Sequence, residues 1–261
     1  MRSALTSLAA IILILVTTSP DAHAGGADTV RVNASDINTR VLIPGVHRYL
    51  VYFKHGKDSS RVMYQMWTRE IKFVPYDGND AVSITQSWEN NNEVFHTATS
   101  YCDRKTFAPL YHEIWWKTRG KGVYDFVHGT ASVDGKPLPE ATDSAGKARW
   151  SAFDIARKQY VLNWHLDLEV FSTLPFKDGR TFLINYYDPG YTPPEWVAYT
   201  VSGSGALDGY DHQKIDCWLL KNNDPRYEEV FWISKKTHEV LKLEEHYGNT
   251  YRYKIMIPYS V

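Results

Sequence analysis

Residues 241–257 alternate in a way that leaves little choice of local structure. Leu241, Leu243, Tyr247, Tyr251, Tyr253, Ile255 and Ile257 share one parity, while Lys242, Glu244, His246, Arg252 and Lys254 take the other. A period of two belongs to a β-strand with one buried and one solvated face. Gly248-Asn249 interrupts the run as a turn, and the apolar run 230–233 precedes it. The segment therefore reads as a three-stranded antiparallel meander, with the apolar parity expected in the core throughout.

A second feature extends this reading upstream. "YCDRKTFAPLYHE", from Tyr101, and "WISKKTHEVLKLE", from Trp232, repeat one phrase. In each, a strand ending in an aromatic meets Asp103 or Ser234, side chains that bond the backbone two residues on and start turns. Lys-Thr carries the chain round, and a second strand leaves through Leu110 or Leu241. Further strands are expected at 46–53, 62–74, 82–88, 93–101, 110–118, 123–128, 181–187, 196–202 and 215–221. Residues 134–147 read as a polar loop. A helix is expected after them, with Val161, Trp164, Leu168 and Phe171 at three- and four-residue spacing, ending before Pro175. Residues 186–196, "YYDPGYTPPEW", are rich enough in Pro and Gly to read as a long loop or flap.

The N-terminus addresses the compartment. Arg2 precedes an apolar run at 4–16, and Ala22-His23-Ala24 has the small-x-small form of a signal-peptidase site. Cleavage after Ala24 is expected, giving a signal peptide at 1–24, a single domain at 25–261, and a periplasmic or secreted protein without an integral membrane segment. The formal net charge of −1 lacks the basic stripe that nucleic-acid phosphates require, and no Lys/Arg cluster suits an anionic lipid surface. Cys102 and Cys217 would meet an oxidising compartment, but spacing alone leaves their pairing open.

The order of these parts resembles a known family. The "YCDRKTFAPL" hairpin is followed by "VYDFVHGTASVDG", by "LDLEVFSTLPFKDGRTF", by "HQKIDCWLL" and by "EEVFWISKKTHEVLKLEEHYGN". Over residues 93–259 this series resembles the exported bacterial domain-of-unknown-function 3108 family, whose members look like open β-barrels of the LolA/LolB lipoprotein-carrier kind. Before Trp88 the glycine-containing opening strands usual in that family have no match. The family has no established catalytic residues, so the resemblance supplies none.

Motifs of chemistry are sparse. The ten His form no HExxH or H-x-H, so no metal site is expected. Asp167 with Glu169, Glu228 with Glu229, and Glu244 with Glu245 are carboxylate pairs of almost no specificity; the last two pairs read as solvated charge edging the meander. Ser204 in "SGSGALDG" lacks both the G-x-S-x-G form and its strand-to-helix context, and reads as loop. No cofactor is expected.

Aromatic content is the unusual quantity, at 14% with 9 Trp. Trp115, Trp116, Trp164, Trp196, Trp218 and Trp232 are the candidate ligand-binding residues, lining a concave cavity under a helix and flap. The expected fold is all-β with one or two short helices: a strongly curved, mostly antiparallel open β-barrel with a helix across its mouth. The expected function is non-catalytic binding or carriage of a hydrophobic small molecule, acyl chain or lipidated partner, with an envelope protein as a further candidate partner. The competing readings are an envelope-polysaccharide enzyme or carbohydrate binder, and a structural or interaction module.

Overall fold

The computed structural model describes residues 28–257 apart from 92, 210, 211, 225 and 227; the expected signal peptide lies outside them. The first half of the chain supplies β1 (Thr29–Arg31), β2 (Gly45–His55), β3 (Val62–Tyr76), β4 (Asn79–Asn90), β5 (Glu93–Asp103), β6 (Pro109–Trp116), β7 (Gly120–Asp125), β8 (Thr130–Val133) and β9 (Lys136–Pro137). Helix α1 (Ser144–Ala156), β10 (Leu162–Asn163) and helix α2 (Asp167–Ser172) follow. The second half adds β11 (Thr181–Asp188), β12 (Thr192–Asp208), β13 (Lys214–Asn222), β14 (Glu228–Ser234), β15 (Val240–Tyr247) and β16 (Thr250–Ile257).

These strands form one sheet. β11 to β16 pair in sequence, β16 returns to pair with β2, and β2 to β9 then pair in sequence. β1 and β10 lie parallel to β11, and the other pairs are antiparallel. A sheet this wide cannot stay flat under its own twist. It curls, and because β1 and β9 do not pair, the barrel is open.

The repeated phrase makes the same turn twice. Phe107 N–H donates to Asp103 O and His238 N–H to Ser234 O, both at 2.9 Å. Phe107 and His238 occupy the same left-handed conformation, with φ of 59° and 63°. Thr106 N–H donates to Asp103 Oδ1 and Thr237 N–H to Ser234 Oγ. Arg104 and Lys235 then each donate a backbone N–H to an aspartate carbonyl on the preceding strand, Asp80 and Asp216.

Each of the nine further strands expected from the sequence has its counterpart. The helical segment differs: α1 begins inside the stretch read as polar loop, where Asp143 caps it by accepting from Gly146 N–H at 2.8 Å. Before it, residues 134–137 complete the β8–β9 hairpin and Leu138–Glu140 form a 3-10 turn. Residues 161–172 are not one helix but β10, a 3-10 turn at Trp164–Leu166, and α2. This segment crosses the concave face of the sheet. Phe171 of α2 packs on Tyr199 and Phe231 with ring centroids at 4.8 and 4.6 Å. α1 sits over a smaller core built on Tyr124, Phe153 and Tyr187.

Residues 186–196 are not a long flap. Tyr186 pairs with Glu195 and Asp188 with Thr192, which leaves a tight hairpin. Pro193 and Pro194 fit in β12 because β13 pairs only from Tyr199 onward, so no ladder bond is lost at that edge. Ser202 to Asp208 also belong to β12 rather than to a loop. Gly203, at φ 127°, lies in the bulge between Val201 and Ser204, and a Cβ on Gly205 would meet the Trp232 ring at 2.6 Å. Cys102 and Cys217 are free and buried.

The largest correction concerns β16. The two-residue turn sets Tyr247 opposite Thr250, so every cross-strand pair joins residues of opposite parity. Leu243, in the core, faces Lys254, and Glu245 faces Arg252. Cross-strand partners share a face. Lys254 and Arg252 therefore point inward, while Tyr253 lies on the opposite face and stacks on Tyr52 at 5.0 Å.

Candidate functional site

The concave face holds a cavity of about 1000 Å³, large enough for a small molecule. Its walls are register rows of the sheet. In one row Trp67 pairs with Trp88, Trp88 with His96, and His96 with Trp116, so four neighbouring strands each present one ring at one level. Trp67 and Trp88 are stacked, with centroids 3.6 Å apart and planes 2° from parallel. Trp116 meets Trp88 edge-on at 5.5 Å. Trp164, on the crossing segment, meets Tyr186 edge-on at 4.8 Å.

A second row carries charge. Glu229 pairs with Glu245, and Glu245 with Arg252. Asn222 donates to Glu229 Oε2 at 3.0 Å, and Arg252 is in direct ion-pair contact with Glu245. One register step away, Lys254 lies 3.6 Å from Asp167 on α2 and 4.6 Å over the Trp67 ring. Burial pushes the Glu229 carboxyl up to about 7; the Asn222 hydrogen bond opposes this and the neighbouring Glu245 adds to it. Burial would also raise Asp167, but Lys254 and Arg69 outweigh it and hold its carboxyl below the usual range. Burial lowers the Lys254 ammonium.

Arg69 fastens the crossing segment to the sheet. It binds Glu169 in a bidentate pair, Nε to Oε1 at 2.7 Å and Nη2 to Oε2 at 2.5 Å. It also donates to Gln86 Oε1 and to the His165 carbonyl. This network fixes where Trp164, His165 and Asp167 stand in the cavity wall. His165 Nε2 lies 3.3 Å from Asp188, and its ring is flanked by those of His96 and His112. Burial pushes His96 down to about 3 and His112 well below the usual imidazole value, with His165 adding to both.

The six tryptophans expected at a site separate. Trp116, Trp164 and Trp196 line the cavity, Trp196 at 46% exposure with Arg31 above its ring. Trp115, Trp218 and Trp232 do not line it. Trp115 shares the outer face of β6 with Glu113, and Trp232 packs on Gly205 with its Nε1 on Glu244. Trp218 stacks near Phe176, with Lys235 above it. Trp67, Trp88, Glu229, Glu245, Arg252 and Lys254 were missed. Glu229 and Glu245, expected as solvated edge charge, are buried; their phase with Phe231 and Leu243 was the available signal. Among the described residues no group of three or more His, Cys, Asp or Glu is placed to hold a metal ion, and no helix is long and apolar enough to cross a membrane.

Fold and cavity together define an open β-barrel protein with an internal aromatic and charged pocket, compatible with a binding or carrier role. The chain belongs to the family described as protein of unknown function DUF3108, whose model matches residues 48–256. The match begins upstream of Trp88, where the sequence had shown no likeness to the family. A solved structure, the beta-barrel-like protein of domain of unknown function DUF1849 from Brucella abortus, is similar over 83% of this chain and 98% of its own, at 10% identity and a TM-score of 0.38. No curated protein matches.

Proposed function

We propose that the protein is a non-catalytic binding protein of the cell envelope that holds a saccharide in the aromatic and charged cavity. The composition of the lining carries this reading. Val197 and Ala198 are its aliphatic members; the rest are aromatic, amide, hydroxyl or charged. A sugar ring has an apolar face that suits an indole and a rim of hydroxyls that suits carboxylates, amides and guanidinium groups. An acyl chain laid against Glu229, Glu245, Arg252 and Lys254 would return no hydrogen bond, at a cost of ~2–7 kcal/mol for each polar group it leaves unsatisfied. Trp116 and Tyr186 also line the cavity, and Trp116 Nε1 and Tyr186 Oη are buried without a protein partner among the described residues. Buried polar atoms of this kind are satisfied by solvent or ligand.

The aromatic row by itself would also accept an acyl chain, the occupant implied by the family resemblance, so the test sets the two against each other. Purified protein is titrated with soluble β-linked oligosaccharides and with a long-chain fatty acid by calorimetry. Saturable saccharide binding, undisturbed by the fatty acid, is expected. Fatty-acid binding with no response to any saccharide would overturn the reading in favour of an acyl carrier. The envelope location rests on the Ala22-His23-Ala24 site, and Gly25 is the expected N-terminus of protein recovered from the envelope fraction.

A further inference from the structure

The buried charges in and behind the cavity floor do not balance. Arg252 and Lys254 line it with Asp167, Glu229 and Glu245, two cations against three carboxylates, and the Arg69–Glu169 pair behind the wall cancels itself. Glu169 is bound by Arg69, Asp167 lies beside Lys254, and Glu245 is bound by Arg252. Glu229 has no cationic partner among the described residues; its contact is the Asn222 amide. It is 8% exposed and lines the cavity. A buried carboxylate without a counter-ion is costly, and an opposite charge delivered by a ligand relieves that cost.

We propose that Glu229 is the recognition carboxylate of the cavity, and that the saccharide it takes carries a free amino group, bound as ammonium. This rests on the saccharide reading above. The ammonium would make a charge-assisted hydrogen bond to Glu229. An anionic sugar is disfavoured, because it would add to the excess carboxylate. The groups facing Glu229 are Asn222 on β13, Glu245 on β15, Arg252 and Lys254 on β16, Asp167 on α2, and Tyr186 and Tyr199 on β11 and β12. Both nearby cations are already engaged by their own carboxylates, so they leave the site at Glu229 net negative.

Binding of glucosamine oligomers is compared with binding of glucose oligomers of the same linkage and length, in which a hydroxyl replaces each amine. At pH 7 the wild-type protein is expected to bind the amine at least tenfold more tightly. Glu229→Gln should bring the two affinities within about threefold while glucose-oligomer binding persists. Lowering the pH from 7, where Glu229 is about half ionised, to 5 completes its protonation and should erase the preference in the wild type; this arm holds whether or not the variant folds. Equal wild-type affinities, or a preference that survives Glu229→Gln or pH 5, would overturn the amine assignment and leave the saccharide reading standing. Absence of binding by either oligomer would remove the saccharide reading, and this inference with it.

Discussion

Arg69 shows how one residue decides whether the cavity has a wall. At 1% exposure it is deeply buried, and its partners on Glu169, Gln86 and His165 join the crossing segment to β3 and β4. Removing Glu169 leaves the buried Arg69 charge with only Asp167, 4.0 Å away, against it, and breaking a buried pair costs about 3–5 kcal/mol. Glu169→Ala should lose that much in urea denaturation, and a change under about 1 kcal/mol would show that the network does not hold the segment. Glu229 makes the opposite prediction. Its folded value of about 7 exceeds the ordinary glutamate value, so the folded state binds its proton more tightly than the unfolded chain. Its contribution is fully present at acid pH and is lost as pH rises through about 7. Without ligand, Glu229→Gln should therefore be the more stable protein at pH 8, by up to about 3 kcal/mol. Equal stabilities at pH 8 would contradict this. Arg69 carried no sign of its role in the sequence, because it and Glu169, 100 residues apart, meet only through the topology; the phase of Glu229 with Phe231 signalled burial, but not which partners it would meet.

At the scale of elements, the strands and the repeated hairpin were legible, whereas the facing of one strand was not. Period two identifies a strand, but the turn decides which parity of the next strand faces inward. Gly248-Asn249 is a two-residue turn, and it puts Lys254 rather than Tyr253 on the face of Leu243. Leu243→Asp should lose about 3–5 kcal/mol by burying a charge whose cross-strand cation, Lys254, is already engaged by Asp167. Lys242→Asp, on the outer face over Trp232, should lose under about 1 kcal/mol. Equal losses would mean that the register is wrong. The helices were hard to place because α1 is nearly as polar as a loop and α2 is only six residues long. The β5–β6 pair adds an acid limb to stability. His96 is neutral when folded, with a value near 3, but gains a proton when unfolded below about 6.5. Its contribution is present above 6.5 and falls away toward pH 3, by up to about 5 kcal/mol. His96→Phe should flatten the acid side of a melting-temperature profile; a profile unchanged from wild type would count against the buried neutral imidazole.

For the whole molecule, an open and mostly antiparallel barrel followed from the density of strands and the shortness of their connections. What could not be read was the cavity's chemistry, because it lies along register rows that cross many strands while sequence patterns run along single strands. Trp67, Trp88 and Trp116 are far apart in the chain and adjacent in the sheet. Trp164 illustrates the converse: its place in the wall was expected, but it arises from a 3-10 turn rather than a long helix. Because Trp164 is only partly buried, Trp164→Ala should weaken ligand binding about tenfold with a small loss of thermal stability. A variant that unfolds outright would place Trp164 in the core instead. Indole N–H spectroscopy on the wild type gives the most direct measurement, since each tryptophan reports separately. Titration with a bound oligosaccharide should shift the signals of Trp67, Trp88, Trp116, Trp164 and Trp196 and leave those of Trp115, Trp218 and Trp232 in place. Shifts confined to Trp115, Trp218 and Trp232 would show that the ligand binds elsewhere and that the concave aromatic row is core.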